Sequence, residues 1–416
     1  MTKDIIAMLL AGGVGSRLNI LARQRAKPAI PFGAIYRIID FTMSNIADSS
    51  IDVVGVLTQY KPLSLMAHLD SGKPWDLFGR TRLVEILPPK TGEEISDWYK
   101  GTSDAVYQNL GFIQDYSPHM VLVVSGDHIY HMNYNELVAY HIEKNADATI
   151  CLIKVPSEEA HYFGIAQINN EGKIVQWVEK PEKPPSNLAS MGVYLFNAEV
   201  LNTTLLRVAK RGGVDFAKDV IPVMLRKNRV YGYALSSYWR DVGTIDAYWN
   251  TNMDILRRDS GLQIEEWHIK TNHSVKGEIG DRPSAYFGAR SSVSNSLIAR
   301  GCIIEGHVHN SILSPGVKIH KGAIVTDSII FHDTSIGEKS VIENCIIDKA
   351  VTIGNTVTIG RGKRVPNKKF PSHLYSGISI IGKKAIISSH CKIGKNCIIN
   401  PGITVERKGI RSGTTI

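Results

Sequence analysis

The chain has 416 residues, of which 43% are hydrophobic and 21% charged, and a formal net charge of +9. This length allows two or three domains, and this composition excludes a disordered or fibrous chain. No stretch approaches the roughly 18 apolar residues of a membrane span and no Lys/Arg block marks a nucleic-acid tail, so neither is an expected partner; small phosphorylated anions are.

The first element is an apolar run, Ile5–Leu10, that stops at glycines in Leu10-Ala11-Gly12-Gly13-Val14-Gly15-Ser16-Arg17-Leu18. It reads as a short buried strand entering a loop whose backbone closely approaches a partner. Glycines leave main-chain N–H groups open to phosphate oxygens, and Arg17 and Lys27 bring positive charge to the same region. The spacing is neither G-x-G-x-x-G nor G-x-x-x-x-G-K-[ST], so a dinucleotide fingerprint and a Walker loop are not supported. The run is too short for a signal-peptide core. Five cysteines (Cys151, Cys302, Cys345, Cys391, Cys397) without a C-x-x-C pattern predict reduced thiols and a cytoplasmic location.

Up to residue 256 strand-like and helix-like segments alternate, the pattern of an α/β fold. Ile51–Leu57 and Met120–Val124 read as buried strands. Ile39, Met43 and Ile46 have helical spacing, as do Val106, Leu110 and Ile113. Asn170-Glu171-Gly172 predicts a hairpin turn between Gly164–Ile168 and Ile174–Val178. Thr244 predicts the cap of a helix running through Ile255. Residues 257–285 are polar and irregular and read as a linker between a domain at 1–256 and another at 286–416.

In that last segment aliphatic residues recur every six positions: Leu313, Ile319, Val325; Ile330, Ile336, Ile342; Ile347, Ile353, Ile359; and Ile381, Ile387, Ile393, Ile399. Ile-Gly pairs recur at Ile336, Ile353, Ile359 and Ile393. A period of six fits neither a helix nor a simple strand; it fits a parallel β-helix with one hexapeptide per side of a coil. The two five-residue steps, 325 to 330 and 342 to 347, read as corner adjustments. Residues 361–374 break the period, carry several cations and predict a loop.

Four constellations carry chemistry. The glycine loop with Arg17 and Lys27 is the first. Asp127, in Ser125-Gly126-Asp127-His128, and Asp241, in Trp239-Arg240-Asp241-Val242-Gly243-Thr244, are the second. Together they suit Mg²⁺ and a bound phosphate; singly, each reads equally as a helix cap. His128 reads as a packed structural histidine rather than a base. Val178-Glu179-Lys180-Pro181 offers a point charge to a phosphate and an acceptor to sugar hydroxyls, or else is an exposed turn with an ion pair. In Trp98-Tyr99-Lys100-Gly101-Thr102-Ser103, Gly101 allows close approach and Thr102 or Ser103 caps a helix. Tyr99 there is either a sugar-contacting ring or a core aromatic.

As a set, these motifs resemble the ADP-glucose pyrophosphorylase (glucose-1-phosphate adenylyltransferase) family. The likeness rests also on Arg25-Ala26-Lys27-Pro28-Ala29, Tyr36-Arg37-Ile38-Ile39-Asp40-Phe41 with Ser44-Asn45, Phe163-Gly164-Ile165 and Leu188-Ala189-Ser190-Met191-Gly192. The resemblance implies a nucleotide-diphospho-sugar transferase (Rossmann-like) α/β catalytic domain followed by a left-handed parallel β-helix. It implies AMP transfer from ATP to glucose 1-phosphate for glycogen synthesis, with Mg²⁺ on Asp127 and Asp241. Tyr99, Gly164, Glu179, Lys180 and Ser190 fall at sugar-phosphate contacts. Arg17, Lys27 and Asp127 fall at catalytic positions, and Leu10, Ala11, Gly12, Gly13, Gly15, Gly101, Thr102 and Gly126 at nucleotide contacts. A homotetramer, or a heteromer with a related subunit, under small-metabolite control is the family's usual state. Val14 and Gln24 depart from common members, the first bearing on rate, the second on sugar-phosphate activation. A weakly active regulatory subunit and a transferase using another nucleoside triphosphate are the nearest alternatives. An acyltransferase is the more distant one, wanting a helix histidine such as His307, His309, His320, His332, His373 or His390.

Overall fold

In the computed structural model, which describes residues 3–13, 15–89, 98–274, 280, 282–406 and 408–416, the apolar run Ile5–Leu10 is strand β1. Val14, one of the two family departures, lies outside the described residues. By contacts the chain divides into two units, Met1–Gly13 with Ile39–Trp239, and Val14–Ile38 with Arg240–Ile416.

The first unit is built on one mixed sheet. Besides β1 it contains β2 (Val53–Leu57), β3 (Leu83–Leu87), β4 (Met120–Ser125), β5 (Ala148–Lys154), β6 (Gly164–Ile168), β7 (Ile174–Glu179), β8 (Leu188–Asn197) and β9 (Val230–Leu235). The order is β7-β6-β8-β4-β1-β2-β3, with β5 joining β8 to β9. β1 lies parallel to β2 and β4, while β8 runs antiparallel to β4, β5 and β6. Both faces of the central strands are buried, which is why Ile5–Leu10 and Met120–Ser125 are continuously apolar rather than alternating. One core gathers Ile6, Met8, Val121, Val123, Ile150, Leu152 and Phe196.

Helix α1 (Ile38–Asp48) follows the predicted spacing. The second predicted helix is two, α2 (Thr102–Gln108) and α3 (Leu110–Tyr116), broken at Asn109. The Asn109 side chain donates to Ala105 O and to the Tyr99 hydroxyl, and its backbone leaves the helical region at φ −110°, ψ 22°. The hairpin β6–β7 is as predicted, with Gly172 at φ 84° and the Asn169 side chain accepting from Glu171 and Lys173 N–H. The α2 cap departs from expectation. No side chain caps it; Val214 O accepts from Ser103 and Asp104 N–H instead, and Thr102 Oγ1 donates to Asp215. A carbonyl brought in by a distant segment has taken the cap's place, and no local pattern could show it.

The second unit contains the left-handed parallel β-helix. Its strands form three parallel sheets in which each coil stacks on the next in register. Leu313, Ile330, Ile347, Ile381 and Ile399 stack on one face; Ile319, Ile336, Ile353 and Ile387 on the second; Val325, Ile342, Ile359 and Ile393 on the third. All are buried in one core, and burying such a side chain is worth about 1.5–3 kcal/mol each. The five-residue steps fall at the corner between third and first faces. The recurrent glycines have a steric cause: a Cβ on Gly337, Gly354 or Gly394 would lie 2.5–2.6 Å from the backbone of the following coil. The loop at 361–374 leaves the helix between Ile359 and Ser379 and is pinned by Asn367, whose side chain donates to Asn396 O and accepts from Lys369 and Phe370 N–H.

Helix α4 (Ile245–Asp254) is capped by Thr244 Oγ1 accepting from Ala247 N–H, as predicted. The described part of 257–285 is not wholly irregular as expected: it forms a short helix, Ile264–Trp267, and buries Leu262, Trp267 and Ile269. All five cysteines are buried and unpaired, and burial pushes the thiols of Cys151 and Cys345 well up. No described helix is long and apolar enough to cross a membrane.

Candidate active site

The candidate residues divide between the units. In the first, the register of β1 and β4 sets Leu10 opposite Ser125, so the glycine turn and the Gly126-Asp127 turn leave the sheet's carboxyl edge together. Gly126 N–H donates to Leu10 O at 3.0 Å, and Ala11 N–H to Leu57 O at 2.9 Å. Gly12 lies beside Gln59, 3.4 Å from its Cγ to a Cβ built on the glycine, whereas a Cβ on Gly13 meets nothing within 4 Å. Gln59 was not singled out by sequence reading. Its signal is its place just past the buried run of β2, the same place Asp127 holds after β4.

Asp127 accepts from the Ser125 hydroxyl. His128 Nδ1 bonds Met191 O at 3.0 Å and its ring stands edge-on to Trp239, which makes it the packed, hydrogen-bonded histidine expected. Tyr99 is 7% exposed and sits in the core. Its hydroxyl donates to Leu87 O and accepts from Asn109, and burial pushes its pKa up to about 12. Of its two readings, this is the core aromatic. Gly101 does make a close approach, but to Val214 O, 2.4 Å from a built Cβ.

Glu179 and Lys180 close β7. Glu179 lies opposite Gly164 in the register, and a Cβ on Gly164 would be 2.7 Å from Glu179 Oε2. Burial raises the Glu179 pKa; Lys180, 3.5 Å away, opposes that, and Asp215 adds to it. Lys180 is held at φ 47°, its N–H donating to Phe163 O, while its side chain is mostly exposed. A non-glycine residue in that region stores strain, as functional turns often do. Ser190 lies at a register break in β8 and bonds the Tyr194 hydroxyl and Gly192 N–H.

The second unit carries Arg17, Lys27 and Asp241. Lys27 Nζ is 2.9 Å from Asp241 Oδ1 and the lysine is buried. A Cβ on Gly243 would lie 2.9 Å from Arg17 Nη2 and 3.0 Å from Asp241 Oδ1, so the bare glycine is what admits both groups. Gly15, at φ 63°, is required both by its backbone and by Lys27 Cβ, 3.1 Å from its own built Cβ. Two cations and a carboxylate in one cluster are fit to hold a polyphosphate. The side chains of Asp127, in the first unit, and Asp241, in the second, are 24% and 23% exposed, and each is a hard oxygen donor of the kind a divalent cation takes. Of the helix histidines, His307 and His309 face outward bonded to Ser292 and Ser294, and His332 is buried.

A mixed α/β sheet whose central parallel strands end together in a glycine turn and the Gly126-Asp127 turn is the setting of a nucleotidyl transferase. Residues 6–258 match the Nucleotidyl transferase family and residues 284–381 the "GlmU-like, C-terminal hexapeptide" family. The chain is 49% identical to the glucose-1-phosphate adenylyltransferase of Acetivibrio thermocellus over 97% of this chain and 95% of that one. It is 44% identical to the Thermosipho melanesiensis enzyme over the whole of both, and 50% identical to that of Clostridium acetobutylicum over 78% of this chain and 85% of that one. The chain belongs to the glucose-1-phosphate adenylyltransferase family.

Proposed function

We propose that the groups of both units serve one reaction. The chain transfers AMP from ATP to glucose 1-phosphate, giving ADP-glucose and pyrophosphate. In this reading Leu10–Gly13, Gly15 and Gly126 line the nucleotide, with Gly101 and Thr102 shaping the wall behind it. Glu179 accepts from sugar hydroxyls, Lys180 holds the sugar phosphate, and Gly164 and Ser190 shape that pocket. Tyr99 supports the wall from within. A phosphate oxygen of glucose 1-phosphate attacks the α-phosphorus in line; the bond to the β-phosphate breaks, and its electron pair leaves with pyrophosphate. Neither a protein nucleophile nor a proton transfer is needed, because the attacking group is already an anion. Arg17 and Lys27 balance the charge that grows on the leaving pyrophosphate. Mg²⁺, held by Asp127 and Asp241, supplies Lewis-acid neutralisation of the phosphoryl oxygens when bound. Cytoplasmic location, a homotetramer or heteromer, and small-metabolite control belong to the same proposal, supported by the family.

The observation that carries this reading is the cluster of Arg17, Lys27 and Asp241 around Gly243. Its test pairs Lys27→Ala with Lys180→Ala in a pyrophosphate-release assay. Lys27 meets charge that develops only in the transition state, so its loss lowers turnover, on the order of 100-fold or more. Lys180 meets the sugar phosphate throughout, so its loss raises KM for glucose 1-phosphate and spares ATP. If Lys180→Ala weakened ATP and spared glucose 1-phosphate, the substrates would be assigned the wrong way round.

A further inference from the structure

The segment that carries Lys27 is a strap linking the 3-10 segment Ser16–Ala22 to the 3-10 turn Lys27–Ala29, and its side chains at 23, 25 and 27 have different partners. Arg23 Nη1 donates to Asn400 Oδ1 at 2.7 Å. Arg25 Nη2 donates to both carboxylate oxygens of Asp348, at 2.8 and 3.0 Å. Lys27 then meets Asp241. One extended, buried residue, Ala26 at φ −64°, ψ 151°, separates Arg25 from Lys27, so the two Cα atoms are about 7 Å apart with little freedom between them.

The Arg25–Asp348 pair is of an unusual kind. Arg25 is 4% exposed and Asp348 1%. Among the described residues Asp348 is the carboxylate that balances the guanidinium, whose Nη1 is buried without a hydrogen-bond partner. Asp348 is itself rigid. It directly follows a strand of the β-helix, Cys345–Ile347, its N–H donates to Ile381 O, its carbonyl accepts from Thr334, and its carboxylate accepts from Lys349 N–H. Asp241 is anchored likewise: α4 begins four residues after it, and Trp249 Nε1 on that helix donates to Asp327 O of the β-helix at 3.1 Å.

Buried, incompletely satisfied ion pairs add little net stability compared with apolar packing. What such a pair does supply is position. We propose that the β-helix positions Lys27 for catalysis, with Asp348 and Arg25 as the positioning residues that fix the strap and Trp249 as the anchor for the carboxylate Lys27 rests on. A lysine stem is long and flexible, and an error of about 1 Å in a charge that meets the transition state costs on the order of 100-fold. The β-helix is therefore part of the catalytic apparatus although it contributes no group to the reacting atoms. This inference rests on the catalytic reading of Lys27.

The test uses the full chain and the variants Asp348→Asn and Arg25→Lys, with Lys27→Ala in parallel. Three quantities are read: kcat with both KM values, the melting temperature, and the rate at which acetic anhydride labels Lys27 in the substrate-free protein, followed by mass spectrometry against exposed Lys154. In Asp348→Asn, kcat falls by about 10- to 100-fold, both KM values stay within about threefold, and Lys27 labelling rises severalfold while Lys154 labelling does not. Arg25→Lys keeps the charge but shortens the reach and shows the same pattern more weakly; should Asp348→Asn not fold, Arg25→Lys decides. A folded variant with kcat within about twofold of the parent and unchanged Lys27 labelling overturns the proposal, as does a lowered melting temperature alone. If Lys27→Ala keeps the parent's turnover, the catalytic reading falls, and the labelling still decides whether the pair holds the strap.

Discussion

Gly164→Ala tests the sugar half of the site through a residue that touches no substrate atom in the reading above. A Cβ at Gly164 would lie 2.7 Å from Glu179 Oε2 and 2.7 Å from Trp177 Cζ2, about 0.7 Å short of the 3.4 Å at which ordinary contact begins. The Trp177 ring is tethered by its Nε1–H to Ala217 O at 2.7 Å, whereas the Glu179 carboxylate is the far end of a flexible side chain whose ion-pair partner, Lys180, is itself mostly exposed. The carboxylate therefore moves. Overpacking of this kind costs about 1–3 kcal/mol of stability, which leaves the fold intact. Loss of a hydrogen bond to a charged acceptor costs about 1.5–3 kcal/mol of sugar binding, and at 1.4 kcal/mol per tenfold that is roughly a 10- to 100-fold rise in KM for glucose 1-phosphate. The assay is pyrophosphate release with each substrate varied at saturation of the other, and KM for ATP should stay put. An unchanged KM for glucose 1-phosphate in a folded Gly164→Ala variant would refute the placement of Glu179. A raised KM there, with Glu179→Gln left at the parent value, would show that the effect runs through Trp177 instead.

The pH dependence of kcat/KM for glucose 1-phosphate should show an acid limb above the ordinary carboxylate range, because burial raises Glu179 and its ionised form is the acceptor; Lys180→Ala, which removes the opposing cation, should move that limb further up. The raised pKa means the fold favours protonated Glu179: its stabilising contribution is present below the unfolded pKa and lost as pH rises through the folded one. Glu179→Gln should therefore melt higher than the parent near neutral pH while binding sugar less well, and equal or lower melting would count against the burial argument. In the β-helix, Gly394→Ala places a Cβ 2.5 Å from Ser412 N; backbone cannot yield as a side chain can, so thermal denaturation should show a loss of about 1–3 kcal/mol or more.

The β-helix was legible because its period is a property of neighbours in sequence. Every aliphatic that the six-residue count singles out from Leu313 to Ile399 is buried and stacks on its counterpart one coil away. The count found the Ile-Gly pairs but not their reason, which is the backbone of a neighbouring coil. In the catalytic half, strand ends gave Asp127 and the glycine turn, since a buried run stopping at a polar residue is a local signal. Tyr99 stayed ambiguous because its hydroxyl partners, Leu87 O and Asn109, are set by packing. Neither Thr102 nor Ser103 is the side-chain cap expected of one of them, for the same reason: the carbonyl that caps α2 comes from Val214. Arg25 was visible only as part of a motif. Its partner is 323 residues further on, and no spacing rule reaches that far.

The division of candidate groups between the two units parallels a division of chemical labour. The residues assigned to sugar recognition, Gly164, Glu179, Lys180 and Ser190, lie in the first unit, on or beside sheet strands whose register sets their spacing. In the proposed reading they meet the substrate before and during reaction, so modest shifts in them should change affinity. The groups assigned to leaving-group charge, Arg17 and Lys27, lie in the second unit with the β-helix, and Lys27 follows directly on a strap that the helix holds through a buried ion pair. On that assignment their effect depends on the difference between ground and transition states, which is the quantity most sensitive to position. Stiff backing matters more there than at the sugar contacts. A stack of hydrogen-bonded coils with an aliphatic core is among the more rigid supports a chain can build, so a perturbation of the coil around Asp348 should reach turnover before it reaches affinity.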